Sequence, residues 1–270
     1  QKQPKLMNYF EAIILAIIEG LTEFLPVSST GHMIIGTALM GIEPTPFVKL
    51  FTITIQLGTI LSVLVLYFKR FFKSMDFYYK LVVAALPASI LGLVLNDFIA
   101  SLLESPLMVA VMLVIGGVIL LFVDKWFNKP SLDNSDDISY KQAFIIGWYQ
   151  CLALIPGTSR SASTIVGGMT QSLTRKAAAE FSFFLAIPMM LGASAVKLLK
   201  FFIEGNAITG HEINLLIVGN IVGFIVALIA IKTFIDLLTR YGFKAFGWYR
   251  IVIGLAIIGL LLSGHSLQII

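Results

Sequence analysis

Glu19 and Glu23 stand four residues apart in EGLTEFLPVSSTGH, residues 19–32, and Ser28, Ser29, Thr30 and His32 follow within the same stretch. On a helix, that spacing puts both carboxylates on one face, where like charges repel. Apolar surroundings raise the cost further, so a bound cation, an arginine or protons must compensate. Beyond Pro26, Ser28, Ser29 and Thr30 fall at the start of a second helical segment. The first turn of a helix has free N–H groups and a positive dipole end, and hydroxyls beside them make an anion cradle. One of the hydroxyls is expected to act as an N-cap. His32, at the edge of that cradle, is a candidate for chemistry.

A second motif, PGTSRSAST at residues 156–164, repeats the design with Gly157, Thr158, Ser159, Ser161 and Thr164, and adds Arg160. Arginine offers a planar fork of donors that fits phosphate and stays charged at any relevant pH. If the two turns meet, they bring together two carboxylates, two amide-rich helix starts, a histidine, several hydroxyls and a guanidinium. Such a set suits phosphoryl transfer, which depends on positioning and on neutralising charge. Gln56 and Gln150 lie in neighbouring segments and are expected to line the site.

These polar residues sit in a chain of 270 residues that is 58% hydrophobic and 13% charged, with mean hydropathy +0.93. An ordinary soluble domain is about a quarter charged. Runs such as LMVAVMLVIGGVILLFV are long enough to cross a hydrocarbon core, which takes about 20 helical residues. The chain therefore reads as all-α and polytopic, surrounded by membrane lipids. Its net charge of +4 does not point to nucleic acid, because the basic residues gather in short loops between apolar runs. The lone Cys151 excludes an internal disulfide and a cysteine-rich metal cluster. His211 and His265 lie in polar flanks and read as solvated.

An internal repeat organises the rest. With an offset of 130, Pro26 becomes Pro156, Ser29 becomes Ser159 and Phe51 becomes Phe181. Each half begins with two short segments broken at its proline, which cannot continue a helix without losing a backbone bond. These pairs, 8–41 and 142–172, are expected to be re-entrant helical hairpins. Three spans then follow in each half, near 50–68, 79–97 and 106–127, and near 178–203, 213–238 and 246–264. The first repeat occupies 1–127, a linker 128–141, and the second repeat 142–270, all within one membrane domain. Three spans per half invert the second relative to the first, and such repeats bring broken elements together near the bilayer midplane. KRFFKSMDFYYK, residues 69–80, is basic and marks the cytoplasmic side. The first hairpin would then enter from outside and the second from the cytoplasm.

The two motifs, with IQLG at 55–58 and FSFFLAIP at 181–188, resemble the undecaprenyl-diphosphate phosphatase family, the bacitracin-resistance phosphatases. The resemblance runs over nearly the whole chain from about Met7. It implies a multi-pass enzyme of the bacterial cell membrane that removes the terminal phosphate of undecaprenyl diphosphate and so recycles the cell-wall lipid carrier. It also implies catalytic roles for Glu19, Glu23, Ser29, His32 and Arg160. A divalent cation, magnesium or calcium, is expected, with Glu19 and Glu23 as its ligands. One departure is visible: Ala162 stands where the family's second motif usually has glycine. The oligomeric state, monomer or homodimer, stays open, as does attack by Ser29 or by activated water. A transporter or flippase for an anionic lipid is the rival, because inverted repeats with broken helices are also transporter architecture.

Overall fold

A computed structural model describes residues 6–72, 75–103 and 105–263, so that Lys73 and His265 fall outside the described residues. Eleven α-helices run in order among those residues: α1 Tyr9–Thr22, α2 Ser29–Met40, α3 Pro46–Leu66, α4 Met75–Val94, α5 Asn96–Leu103, α6 Pro106–Trp126, α7 Tyr140–Cys151, α8 Arg160–Thr170, α9 Arg175–Ile203, α10 Gly210–Tyr241 and α11 Lys244–Leu262. Six of them, α3, α4, α6, α9, α10 and α11, are long and apolar enough to span a membrane. They coincide with the six expected spans, and the protein is a multi-pass, all-α membrane protein.

Helix starts follow local chemistry. Asn8 accepts from the Glu11 amide while Glu11 reaches back to the Asn8 amide, closing a capping box on α1. Ser139 with Gln142, and Thr209 with Glu212, do the same for α7 and α10. Thr45 and Ser105 cap α3 and α6, each followed by a proline in the first turn, where no N–H is missed.

The outer surface is inside-out relative to a soluble protein. Along α10, Ile213, Ile217, Ile221, Ile225 and Ile229 recur every four residues and are all exposed, while Gly219, Gly223, Ala227 and Ala230 on the opposite face are buried. The large apolar side chains face lipid, and the small ones let helices approach closely. Two features depart from expectation. α10 is 32 residues long, about 48 Å at helical rise, and overruns the hydrocarbon core at its ends. The stretch 96–103, expected as the end of a span and a loop, forms the separate helix α5.

The two halves are interleaved. α1 packs on α10 and α7 on α4, while α3 meets α9 and α6 meets α11. If α1, α4 and α6 are exchanged for α7, α10 and α11, these pairings map onto one another. α1 also packs on α2, and α7 on α8, across the two broken turns. Near the linker, Arg70 binds Glu180, Asp136 and Ser135, with its guanidinium over Phe77 and Phe184. The linker is therefore anchored to the helices, because its Asp136 belongs to this cluster.

Candidate active site

Both turns end in the same unusual way. Ser28 and Ser159 are the N-caps of α2 and α8, and both hold positive φ, 67° and 76°. A non-glycine residue with that conformation is uncommon and is held there by its surroundings. The conformational match pairs Ser28 with Ser159, an offset of 131, so Ser29 corresponds to Arg160 and each opens its helix. The extra residue lies in the second turn. It is accommodated at Gly157, where φ is +89° and a Cβ would lie 2.3 Å from the Val109 carbonyl oxygen.

The turns converge. Ser29 Oγ donates to Glu23 Oε2 at 2.8 Å, and Arg160 Nη2 donates to Glu23 Oε1 at 3.3 Å. One carboxylate is therefore held by a hydroxyl of the first turn and a guanidinium of the second. Arg160 is steadied by Nη1, which donates to the Ser182 carbonyl at 2.8 Å, and lies over the Phe24 ring. Ser161 fastens one turn to the other by donating to the Phe24 carbonyl at 2.6 Å. Thr164 shares a 2.6 Å bond with Ser182 Oγ and also donates to the Arg160 carbonyl. Ser161 and Thr164, expected as phosphate ligands, thus have hydroxyls committed to holding the turns. Their place on the inner face of α8, packed against neighbouring chain, explains the difference.

Glu19 lies one helical turn below Glu23 and is 1% exposed. Its electrostatic neighbours are Glu23, Gln56 and Arg160, so Gln56 does border the site. Glu19 Oε1, Arg160 Nε and Thr158 Oγ1 are buried without a hydrogen-bond partner among the described residues. Buried polar atoms are nearly always satisfied, so an orphan carboxylate oxygen on Glu19 and an orphan Nε on the arginine bonded to Glu23 mark a place for a ligand. Gln150 is also buried, and neither of its amide atoms has a hydrogen-bond partner among the described residues. Arg160 supplies one positive charge beside the two carboxylates, and either a proton shared by Glu19 and Glu23 or a bound cation compensates the other. Carboxylate oxygens are the donors that magnesium and calcium take, and Glu19 has one to spare. No cluster of three or more His, Cys, Asp or Glu side chains forms among the described residues, so substrate and water oxygens would complete such an ion's shell.

His32 is placed differently from expectation. Its Nδ1–H donates to the Ser28 carbonyl at 2.8 Å, which leaves Nε2 to accept from the Tyr249 hydroxyl at 2.7 Å. Both nitrogens have partners other than Ser29. The sequence reading also missed Arg250, which is wholly buried. Its guanidinium donates to the carbonyls of Gly157 and Thr158 at 2.9 Å, Pro26 at 3.2 Å and Met112 at 3.1 Å, and its Nε to that of Leu113 at 3.4 Å. One side chain thereby ties both turns to α6. Gly116 makes room for it, since a Cβ there would lie 2.2 Å from Arg250 Nη2. The signal was an arginine inside the apolar run YRIVIGLAIIGL, a charge no span carries without a reason.

Comparison with known proteins gives a consistent result. The family described as bacitracin resistance protein BacA matches residues 12–256. An undecaprenyl-diphosphatase of Flavobacterium johnsoniae is 58% identical, covering 98% of this chain and all of its own. That of Flavobacterium psychrophilum is 59% identical over the same shares. That of Porphyromonas gingivalis is 54% identical, over 97% of this chain and all of its own.

Proposed function

The chain belongs to the bacitracin resistance protein BacA family, and from that premise we propose that it hydrolyses undecaprenyl diphosphate to undecaprenyl phosphate and inorganic phosphate in the bacterial plasma membrane. The observation that carries the assignment of residues is the Glu23 carboxylate, gripped by Ser29 from one turn and Arg160 from the other. The terminal phosphate sits over the starts of α2 and α8, whose free amides and dipoles favour an anion. Its oxygens take up the unpartnered donors Arg160 Nε and Thr158 Oγ1. Ser29 attacks phosphorus, and its proton passes to Glu23 as the bond to the bridging oxygen breaks. Glu23 returns that proton to the departing lipid monophosphate. It then takes a proton from the water that attacks the phosphoserine and gives it to the Ser29 oxygen as inorganic phosphate leaves, which restores the hydroxyl. Ser28, Thr30 and Ser159 complete the cradle around the phosphate. A divalent cation held by Glu19 and Glu23 would supply charge neutralisation at the phosphoryl oxygens. The re-entrant course of α1–α2 and α7–α8 within an inverted repeat accounts for two sequence-distant turns meeting at one depth.

Detergent-solubilised protein is expected to release phosphate from undecaprenyl diphosphate, and chelation of divalent cations to suppress that release. A transporter releases none in detergent, so absence of phosphate would remove the enzyme reading. Ser29→Ala is expected to lower turnover at least about a hundredfold. A phosphoserine trapped at residue 29 by acid quench supports the covalent route. Turnover within about threefold of the unmodified protein would transfer the attack to water.

A further inference from the structure

An apolar cleft of about 740 Å³ opens between α1, α10 and α11. Its walls include Ile18, Leu25, Ile229 and Phe234, with Thr22 and Thr233 among them. Both threonines use their hydroxyl proton inside their own helix. Thr22 donates to the Ile18 carbonyl at 2.6 Å and Thr233 to that of Ile229 at 2.9 Å, each within its own helix. The remaining polar lining is His32 and Tyr249, joined through Nε2 and the phenol hydroxyl with their rings stacked. The cleft also adjoins the catalytic turn along the chain, since Thr22 precedes Glu23 and Val27 precedes Ser28.

A hydrocarbon wall with one polar pair beside a phosphate cradle matches an amphiphile with an anionic head. We propose that this cleft seats the part of the substrate's prenyl chain nearest the diphosphate, with Tyr249 and His32 at the junction of chain and headgroup. The inference rests on the lipid-diphosphate reading above and deepens it. Its volume falls within the range of ligand pockets and holds a stretch of chain rather than all of it. The rest of a long chain continues into the bilayer along the exposed face of α10. The site accounts for two facts the hydrolytic mechanism leaves aside. The ring nitrogens of His32 are taken by the Ser28 carbonyl and the Tyr249 hydroxyl, and a concave apolar surface lies between α10 and α11.

The test compares two substrates, undecaprenyl diphosphate and a five-carbon prenyl diphosphate, with the full chain in detergent micelles. Thr233→Trp and Ala245→Trp narrow the cleft from α10 and α11, at residues whose side chains are exposed. Ile115→Trp, on the exposed face of α6 outside the cleft, is the control. In the two cleft variants the ratio of kcat/KM for the long chain over the short chain is expected to fall about threefold or more, and about tenfold when they are combined. In the control the ratio stays unchanged. A smaller fall in the cleft variants, whatever the absolute rates, overturns the assignment and leaves the cleft to bulk lipid. No phosphate release by the unmodified protein from either substrate would instead overturn the enzymatic reading, so the two failures are distinct.

Discussion

Arg160→Lys is expected to lower phosphate release from undecaprenyl diphosphate about a thousandfold while the protein still folds and purifies normally. The substitution keeps the positive charge and loses the planar fork. In the structure that fork does two things at once. Nη2 meets Glu23 and Nη1 meets the Ser182 carbonyl, which leaves Nε buried and free for a phosphate oxygen. An ammonium is a point donor and cannot hold Glu23, Ser182 and substrate in one plane. Because charge is preserved beside Glu19 and Glu23, the fold does not inherit an unpaired acid pair, and the loss falls on turnover. Steady-state phosphate release, with a melting curve of the same preparation, checks both halves of the statement. Normal turnover by the lysine variant would remove Arg160 from the reaction.

Arg250→Met is expected to cost both stability and activity. The guanidinium is fully enclosed and, among the described residues, donates to backbone carbonyls and meets no carboxylate. Without it the carbonyls of Pro26, Gly157 and Thr158 lose a charged donor where no water replaces it. Each buried acceptor so abandoned costs about 1–3 kcal/mol. The expected loss is therefore about 3 kcal/mol or more in thermal denaturation in detergent, with turnover down at least about a hundredfold. Arg250→Lys separates the two effects. It fills the space and retains charge, but three donors on a flexible stem cannot reproduce a fork spread over both turns and α6. Its melting temperature is expected to recover further than its turnover. Equal recovery of both would make Arg250 a packing residue with no part in aligning Ser29 and Arg160.

The two variants probe different layers of the same arrangement. Arg160 touches the carboxylate that Ser29 touches, whereas Arg250 touches only the backbone that carries them. Gly116 links the second layer to α6, because its missing side chain is the space in which Arg250 lies. Any residue larger than glycine at 116 would displace the guanidinium, so the identity of that position follows from a partner more than a hundred residues away.

Much of this was legible in the chain itself. Six spans, the two proline-broken turns and the pairing of an acid-rich motif with an arginine-rich one follow from composition, periodicity and motif. These are local or statistical properties: a run of apolar residues must enter lipid whatever its neighbours, and a proline with hydroxyl and glycine residues after it marks a turn, whereas Pro87 and Pro188 in long apolar runs stay inside α4 and α9. Ser29, Glu23 and Arg160 could be named because hydroxyls, acids and guanidinium are costly in a hydrocarbon setting and stand out against it.

What the tertiary structure decided was which polar group meets which. Ser161 and Thr164 looked as available for phosphate as Ser29, yet one is bonded to the Phe24 carbonyl and the other to Ser182. His32 was a candidate for chemistry by its place after the cradle, and packing gave its Nε2 the Tyr249 hydroxyl. Arg250 sat unremarked in an apolar run until five carbonyls from three separated segments closed around it. The reason is the same in each case. Residue type sets what a side chain can donate or accept, but a hydrogen bond reaches only about 3 Å, and distances of that order between separate segments, 18 to 217 residues apart in these pairs, exist only once the helices have packed.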